Sequence, residues 1–290
     1  MTLRPNQISV STASFAQYDL DAAIEAVRRT SPGGIELLAF EHARHSVGDL
    51  AGVWAHQLSR ADRSRLRAKL AGFAHVAVHA PFFEHHMFAC DARVAQLGRQ
   101  AVVEAIALCA DLGGTAVAVH LNHTVARSVD DMWPDWVTGL RWLGDQAAQH
   151  RVWVGVETGI PGHDDMPALL QAVDHPWVGC TVDTGHLIGS VDRSGLGTPV
   201  ARDRYNRALQ ELVSRLGPKA VHFHVHDVRA DDWRDHREVG TGIIDWPGLA
   251  RALDQIAYAG ALAVELEEPD RPGAIHRSVT HLANCIGATG

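Results

Sequence analysis

Eight short runs of mostly apolar residues recur along the chain, separated by stretches with helical spacing, and this alternation limits the architecture more than any other feature. The runs cover Gln7–Thr12, Gly34–Leu38, His75–Ala80, Thr115–Leu121, Val152–Glu157, Val178–Asp183, Ala220–Val228 and Leu262–Leu266. Between and after them the spacing predicts helices over Leu20–Arg29, Ala61–Leu70, Asp91–Leu112, a segment ending near His150, Pro167–Val173, Arg202–Leu216, Trp246–Ala257 and Ala274–Ile286. Loops are expected over 41–59, around Trp133, Pro134 and Trp136, and over the glycine- and aspartate-rich 159–165. Short continuous apolar runs suit strands buried on both faces, as in parallel sheets. Eight βα units in 290 residues predict an α/β chain folded as one (β/α)8 barrel, a single domain over 1–290. A doubly wound open sheet would usually carry a glycine-rich turn after its first strand, and Ala13-Ser14-Phe15-Ala16 does not supply one.

The formal net charge of -8 argues against a general nucleic-acid binder. Cys90, Cys109, Cys180 and Cys285 are far apart with no CxxC pair, so neither a disulfide framework nor a thiolate zinc site is expected. No basic leader precedes an apolar stretch and no apolar run reaches membrane-spanning length, so the expectation is a soluble, cytoplasmic protein. The 19 histidines direct attention to metal chemistry.

The run AVHFHVHDV at 220–228 concentrates them. The period of two puts His222, His224 and His226 on one face of a strand and Phe223 and Val225 on the other. From first to last they span roughly 13 Å, too far to share one ion. In a (β/α)8 barrel the functional groups lie at the C-terminal ends of the strands. Read in order, seven of the eight ends carry such a group: Glu36, His79, His120, Glu157, Asp183, His224 and Glu265. Unpaired buried charges are costly, and a bound cation removes that cost by neutralising several carboxylates together. Any single member has a plainer reading: Glu36 or His120 could orient a neighbour. In Asp183-Thr184-Gly185-His186 the imidazole returns three positions after the carboxylate, although an Asp capping its own turn reads the same way. In the loop after strand seven, Gly240 and Gly242 suggest a tight turn and Asp245 caps the next helix with Pro247 in its first turn, while His236 and Arg237 could reach the rim.

With GIEL at 34–37, HAPF at 79–82, VET at 156–158, DTGH at 183–186, HFHVHD at 222–227, GTGIIDW at 240–246 and YAGALAVELE at 258–267, the chain resembles the xylose isomerase-like TIM barrel superfamily. It is similar to the sugar phosphate isomerase/epimerase branch, which is related to the zinc-type apurinic endonucleases. The resemblance implies that Glu157, Asp183, His224 and Glu265 bind a divalent ion, and that Glu157 and Glu265 also serve as the acid/base pair. It implies that His186 and Arg237 hold substrate oxygens; Glu36 and Phe82 are further substrate-binding candidates, and His226 and Asp227 are expected at the rim, either on substrate or supporting a ligand residue. The endonuclease branch implies a second or third ion at His79, His120 and His236, with His186 a further candidate, but Arg234 stands where that branch carries an aspartate. The expected cofactor is therefore Mn, Zn, Fe, Mg or Co, with one ion or as many as three. The expected activity is isomerisation or epimerisation of a sugar or similar polyhydroxylated carbonyl compound. A multinuclear hydrolase or phosphodiesterase and a sugar lyase or dehydratase are the alternatives. The expected partner is a small-molecule substrate, with no nucleic acid and no membrane, and a homodimer or homotetramer fits the family's habit.

Overall fold

A computed structural model describes residues 3–287 apart from 31, 42–43, 46–47, 84, 122–126 and 160–164, with only the backbone described at 44, 45 and 165. The loop expected over 159–165 therefore lies mostly outside the described residues.

The eight predicted strands form one closed, all-parallel barrel in sequential order. They are β1 (Ile8–Ser11), β2 (Gly34–Leu38), β3 (His75–His79), β4 (Ala116–Val119), β5 (Trp153–Glu157), β6 (Val178–Asp183), β7 (Ala220–Val225) and β8 (Leu262–Val264). Closure pairs β8 with β1 through Ile8–Leu262, Ser9–Ala263 and Val10–Val264. Eight helices cover the outside: α1 (Leu20–Arg29), α2 (Arg60–Lys69), α3 (Ala92–Leu112), α4 (Val129–His150), α5 (Asp165–Val173), α6 (Pro199–Leu216), α7 (Trp246–Gln255) and α8 (Arg271–Gly287). Among the described residues no helix is long and apolar enough to cross a membrane.

Local sequence sets the helix starts. Asp19, Ser59, Asp91, Ser128, Thr198 and Asp245 each accept a backbone N–H of the first turn. Two loop expectations are corrected. Trp133, Pro134 and Trp136 lie inside α4, which starts at Ser128 through a Ser128/Asp131 capping box. Pro134 removes one helical hydrogen bond there, but burial of Met132, Trp136, Leu140 and Leu143 on one face outweighs that loss. The 41–59 segment contains an antiparallel ladder, Arg44–His45 with Gly48–Asp49, and a 3-10 turn over Ala55–Gln57.

What positions the site is the register. Ser11 pairs with Glu36, Glu36 with Ala77, Asp183 with His224, and His224 with Ala263, so these side chains share the barrel's interior face. Below the functional groups that face is built of small residues: Ser9 and Gly34 are paired, as are Ala77 with Ala116 and Ala118 with Gly155. A Cβ on Gly34 would collide with Ser9 Oγ. The usual packing of a barrel interior is by bulky branched side chains; here small residues leave room for a glutamate and two histidines.

Candidate metal centre

Glu36, His79, Glu157, Asp183 and His224 are all buried at the C-terminal end of the barrel. His120 and Glu265 come one residue beyond β4 and β8. His224 is at the centre. Its Nδ1 lies 3.2 Å from Glu157 Oε1, 3.3 Å from Glu265 Oε2 and 3.9 Å from Asp183 Oδ2. Its Nε2 lies 3.2 Å from Glu36 Oε2.

Glu157 is enclosed by imidazoles. His120 Nε2 is 2.8 Å and His79 Nε2 3.3 Å from Oε2, and His186 Nδ1 is 3.4 Å from Oε1. Asp183 accepts backbone N–H groups from Gly185 at 2.8 Å and His186 at 3.0 Å, and His226 Nε2 reaches it at 2.9 Å. Because His226 Nδ1 accepts the backbone N–H of His236 at 2.9 Å, the His226 proton sits on Nε2 and is donated to Asp183. His236 stacks on His226 with ring centroids 4.1 Å apart, and its φ of 53° is a left-handed conformation that non-glycine residues rarely adopt. Backbone strain of this kind gathers at functional sites.

Charge distribution follows the geometry. Burial would raise the pKa of Glu157, but His120 and His224 hold it well below the usual range. Asp183 is likewise held low against its burial, by His186 and His226. Burial pushes imidazoles toward neutrality, yet Glu157, Glu36 and Glu265 raise His224 well above the ordinary value. His236 is raised to about 9, with Asp235 and Asp183 overcoming its burial.

The donor set fits a divalent ion. Glu157 Oε2 and His224 Nδ1 are buried polar atoms without a hydrogen-bond partner, although charged neighbours stand within ion-pair distance. Such close but misaligned contacts mark side chains converging on a common point rather than on one another. Ligand atoms of Asp183, His224 and Glu265 lie within 4.8 Å of one another, as do those of Glu157, Asp183 and His186. The groups His79–Glu157–His224 and Asp183–His226–His236 meet the same criterion. Mixed imidazole and carboxylate donors suit Mn, Zn, Fe or Co.

Above these groups is a cavity of about 170 Å³ with a mixed lining. Its polar groups include His79, His120, Glu157, His186, His236 and Glu265, and its apolar ones include Leu38, Phe40, Leu50, Phe82 and Leu266. Phe82 stacks on His120 with centroids 4.3 Å apart. The sequence reading missed Phe40, Leu50 and Glu267 as lining groups, since nothing in their local pattern separates them from ordinary packing residues.

Three sequence expectations change position. Arg237 does not line the cavity; it is held by Asp235 O at 2.8 Å, Glu267 O at 3.1 Å and Glu268 Oε2 at 3.3 Å. Glu36 lies beneath the cavity floor, fully buried against His222 and His224, out of a substrate's reach. Asp227 is not a rim group: its carboxylate accepts from Val228 N, Gly240 N, Ile244 N and Trp246 Nε1, which ties down the loop after β7. Of the two roles expected for His226, the geometry gives the supporting one: it is fully buried, does not line the cavity and bonds Asp183. His222 lies deeper in the barrel than His224, its Nε2 2.7 Å from Glu36 Oε2.

Comparison with known proteins agrees with this architecture. The family model for the xylose isomerase-like TIM barrel matches residues 24–285. Among curated proteins, an inosose dehydratase of Geobacillus thermodenitrificans is 26% identical over 159 residues, 48% of each chain. The chain thus matches about half the length of the curated relatives it resembles. Among solved structures, a D-tagatose 3-epimerase-like protein superimposes with a TM-score of 0.73 at 19% identity, covering 100% of this chain and 99% of the other. An L-ribulose 3-epimerase does so with a TM-score of 0.73 at 16% identity, covering 97% and 94%.

Proposed function

The chain belongs to the xylose isomerase-like TIM barrel family, and from that premise we propose that it is a divalent-metal-dependent isomerase or epimerase of a sugar or similar small polyhydroxylated carbonyl compound. The observation that carries this reading is the convergence of Glu157 and Glu265 on His224 Nδ1, at 3.2 and 3.3 Å, with both carboxylates lining one cavity of mixed polar and apolar character.

Glu157, Asp183, His224 and Glu265 would hold the ion, which supplies Lewis-acid polarisation of a carbonyl beside it. The two glutamates divide the proton transfer. One carboxylate removes the proton next to the carbonyl and the other returns a proton to the opposite face. They are in unlike settings: Glu157 is sealed by imidazoles at 3% side-chain exposure, while Glu265 is 15% exposed at the cavity. Phe40, Phe82 and Leu38 offer apolar lining suited to the C–H face of a sugar. His120 and His186 border the cavity as hydrogen-bonding groups for substrate hydroxyls.

The likeness to inosose dehydratases favours a second reading, dehydration. It begins with the same proton abstraction and departs only afterwards, when a β-hydroxyl leaves as water instead of a proton returning. His79 and His236 leave room for a second ion, which the hydrolase reading would require, whereas both ring nitrogens of His226 are engaged, by Asp183 and by the His236 N–H.

The test incubates the Mn²⁺-reconstituted protein with neutral ketoses, inososes and sugar phosphoesters in D₂O, then strips the manganese and reads the products by proton NMR. Deuterium beside the carbonyl, together with a new epimer or isomer, is expected. An unsaturated product would assign dehydration. Hydrolysis of a phosphoester without carbon-bound exchange would overturn the proposal.

A further inference from the structure

A histidine that ligates a metal must keep its proton on the ring nitrogen that faces away. His79 and His186 do this through main-chain carbonyls. His79 Nδ1 is 2.9 Å from Ala80 O and His186 Nδ1 is 3.0 Å from Thr158 O, so each ring donates there and turns Nε2 toward a carboxylate. His224 is mounted the other way round. Its Nε2 points down at Glu36 Oε2 and its Nδ1 points up into the carboxylates. That Nδ1 is buried with no hydrogen-bond partner.

We propose that Glu36 is a positioning residue that holds the proton on His224 Nε2 and thereby presents a bare Nδ1 to a divalent cation shared with Glu157, Asp183 and Glu265. The inference deepens, and rests on, the metal-dependent reading above. Glu36 cannot act on substrate, being fully buried under the cavity. It is held in place from the same strand that carries its target: His222 Nε2 donates to the same Oε2 at 2.7 Å, and the His222 and His224 rings meet edge to face at 89°. The room for this carboxylate comes from Ser9, Gly34 and Ala77 around it. A carboxylate acceptor raises the basicity of the opposite ring nitrogen more than a carbonyl does. Of the three imidazoles compared, His224 alone faces three carboxylates with one ring nitrogen, and its opposite nitrogen has a carboxylate rather than a main-chain carbonyl as its hydrogen-bond acceptor.

The test compares wild type with Glu36→Ala and Glu36→Gln. Mn²⁺ affinity is measured by chelator competition, and the His224 ring is read by ¹⁵N NMR of the Zn²⁺-loaded protein. Wild type should show the metal on His224 Nδ1 and a proton on Nε2. Glu36→Ala should weaken Mn²⁺ binding ~10–100-fold, the range found for such outer partners. Glu36→Gln keeps an acceptor oxygen, so the metal should stay on Nδ1 while affinity falls by less than in the alanine variant. If Glu36→Ala does not fold, Glu36→Gln decides: a loss of about tenfold supports the proposal, and affinity equal to wild type overturns it. Metal on Nε2, or a folded Glu36→Ala that binds Mn²⁺ as wild type does, overturns the inference alone. A wild-type protein that takes up no Mn²⁺ or Zn²⁺ overturns the metal reading and this inference with it.

Discussion

Replacing Glu157 with Gln removes one charge and little else, which makes it the sharpest probe of the proposed chemistry. The carboxylate faces His120 at 2.8 Å, His224 at 3.2 Å, His79 at 3.3 Å and His186 at 3.4 Å. Two losses follow. A positioned general base contributes about 10²–10⁴-fold to rate, which at about 1.4 kcal/mol per tenfold is about 3–5 kcal/mol of barrier. Removing one partner of a buried ion pair also destabilises a fold by about 3–5 kcal/mol. In the metal-free protein that loss is smaller than for an isolated pair, because His79 and His224 can shed their protons once the anion is gone. Glu265 has one such neighbour, His224 at 3.3 Å, and is partly exposed. Glu265→Gln should therefore lose turnover to a similar degree but melt close to wild type. The assay pairs steady-state turnover on the substrate found by deuterium exchange with thermal unfolding after chelation. Near-normal turnover in either variant would refute the two-carboxylate scheme. Equal melting temperatures for the two variants would refute the account of the imidazole enclosure.

The metal-free protein should be most stable in mildly acidic solution. His236 has its pKa raised to about 9, so its contribution is complete below an ordinary histidine value of ~6.5 and fades as pH rises through about 9. Asp183 is lowered, so its contribution holds above ~4 and is lost as pH falls further. Melting temperature after chelation, scanned from pH 3 to 10 (roughly the span between those limits), should peak between them; a monotonic rise to alkaline pH would contradict the assignment. Phosphorylated sugars should be poor substrates, since no Arg or Lys lines the cavity among the described residues while Glu157, Glu265 and Glu267 do. Faster turnover of a phosphate ester than of its parent sugar would count against this. Gly185→Ala should cut metal affinity without unfolding the barrel, because its Cβ would drive into the His226 ring and press on Asp235. Unchanged Mn²⁺ binding would show that His226 does not hold Asp183 in place.

The barrel was legible in the linear order because its signal is local. Each strand is a short apolar run, each helix has its own cap and stripe, and connections in this fold run between neighbours. The rim of functional groups was legible for the same reason: a period of two and a fixed polarity place Glu157, Asp183 and His224 on one face at one end. Three things were not. Pro134 read as a loop signal, because the buried face that keeps α4 helical is supplied by the rest of the chain. Arg237 read as a substrate group, because Glu268, which holds it, lies in another loop. Glu36 read as a rim carboxylate, because its contacts with His222 and His224 cross 186 and 188 positions of sequence. Residue type and spacing say which groups can bind a metal or move a proton. Which nitrogen of His224 faces the carboxylates, and what holds it there, depends on barrel closure. Closure sets β2 across from β7, and no local pattern in either strand encodes that distance.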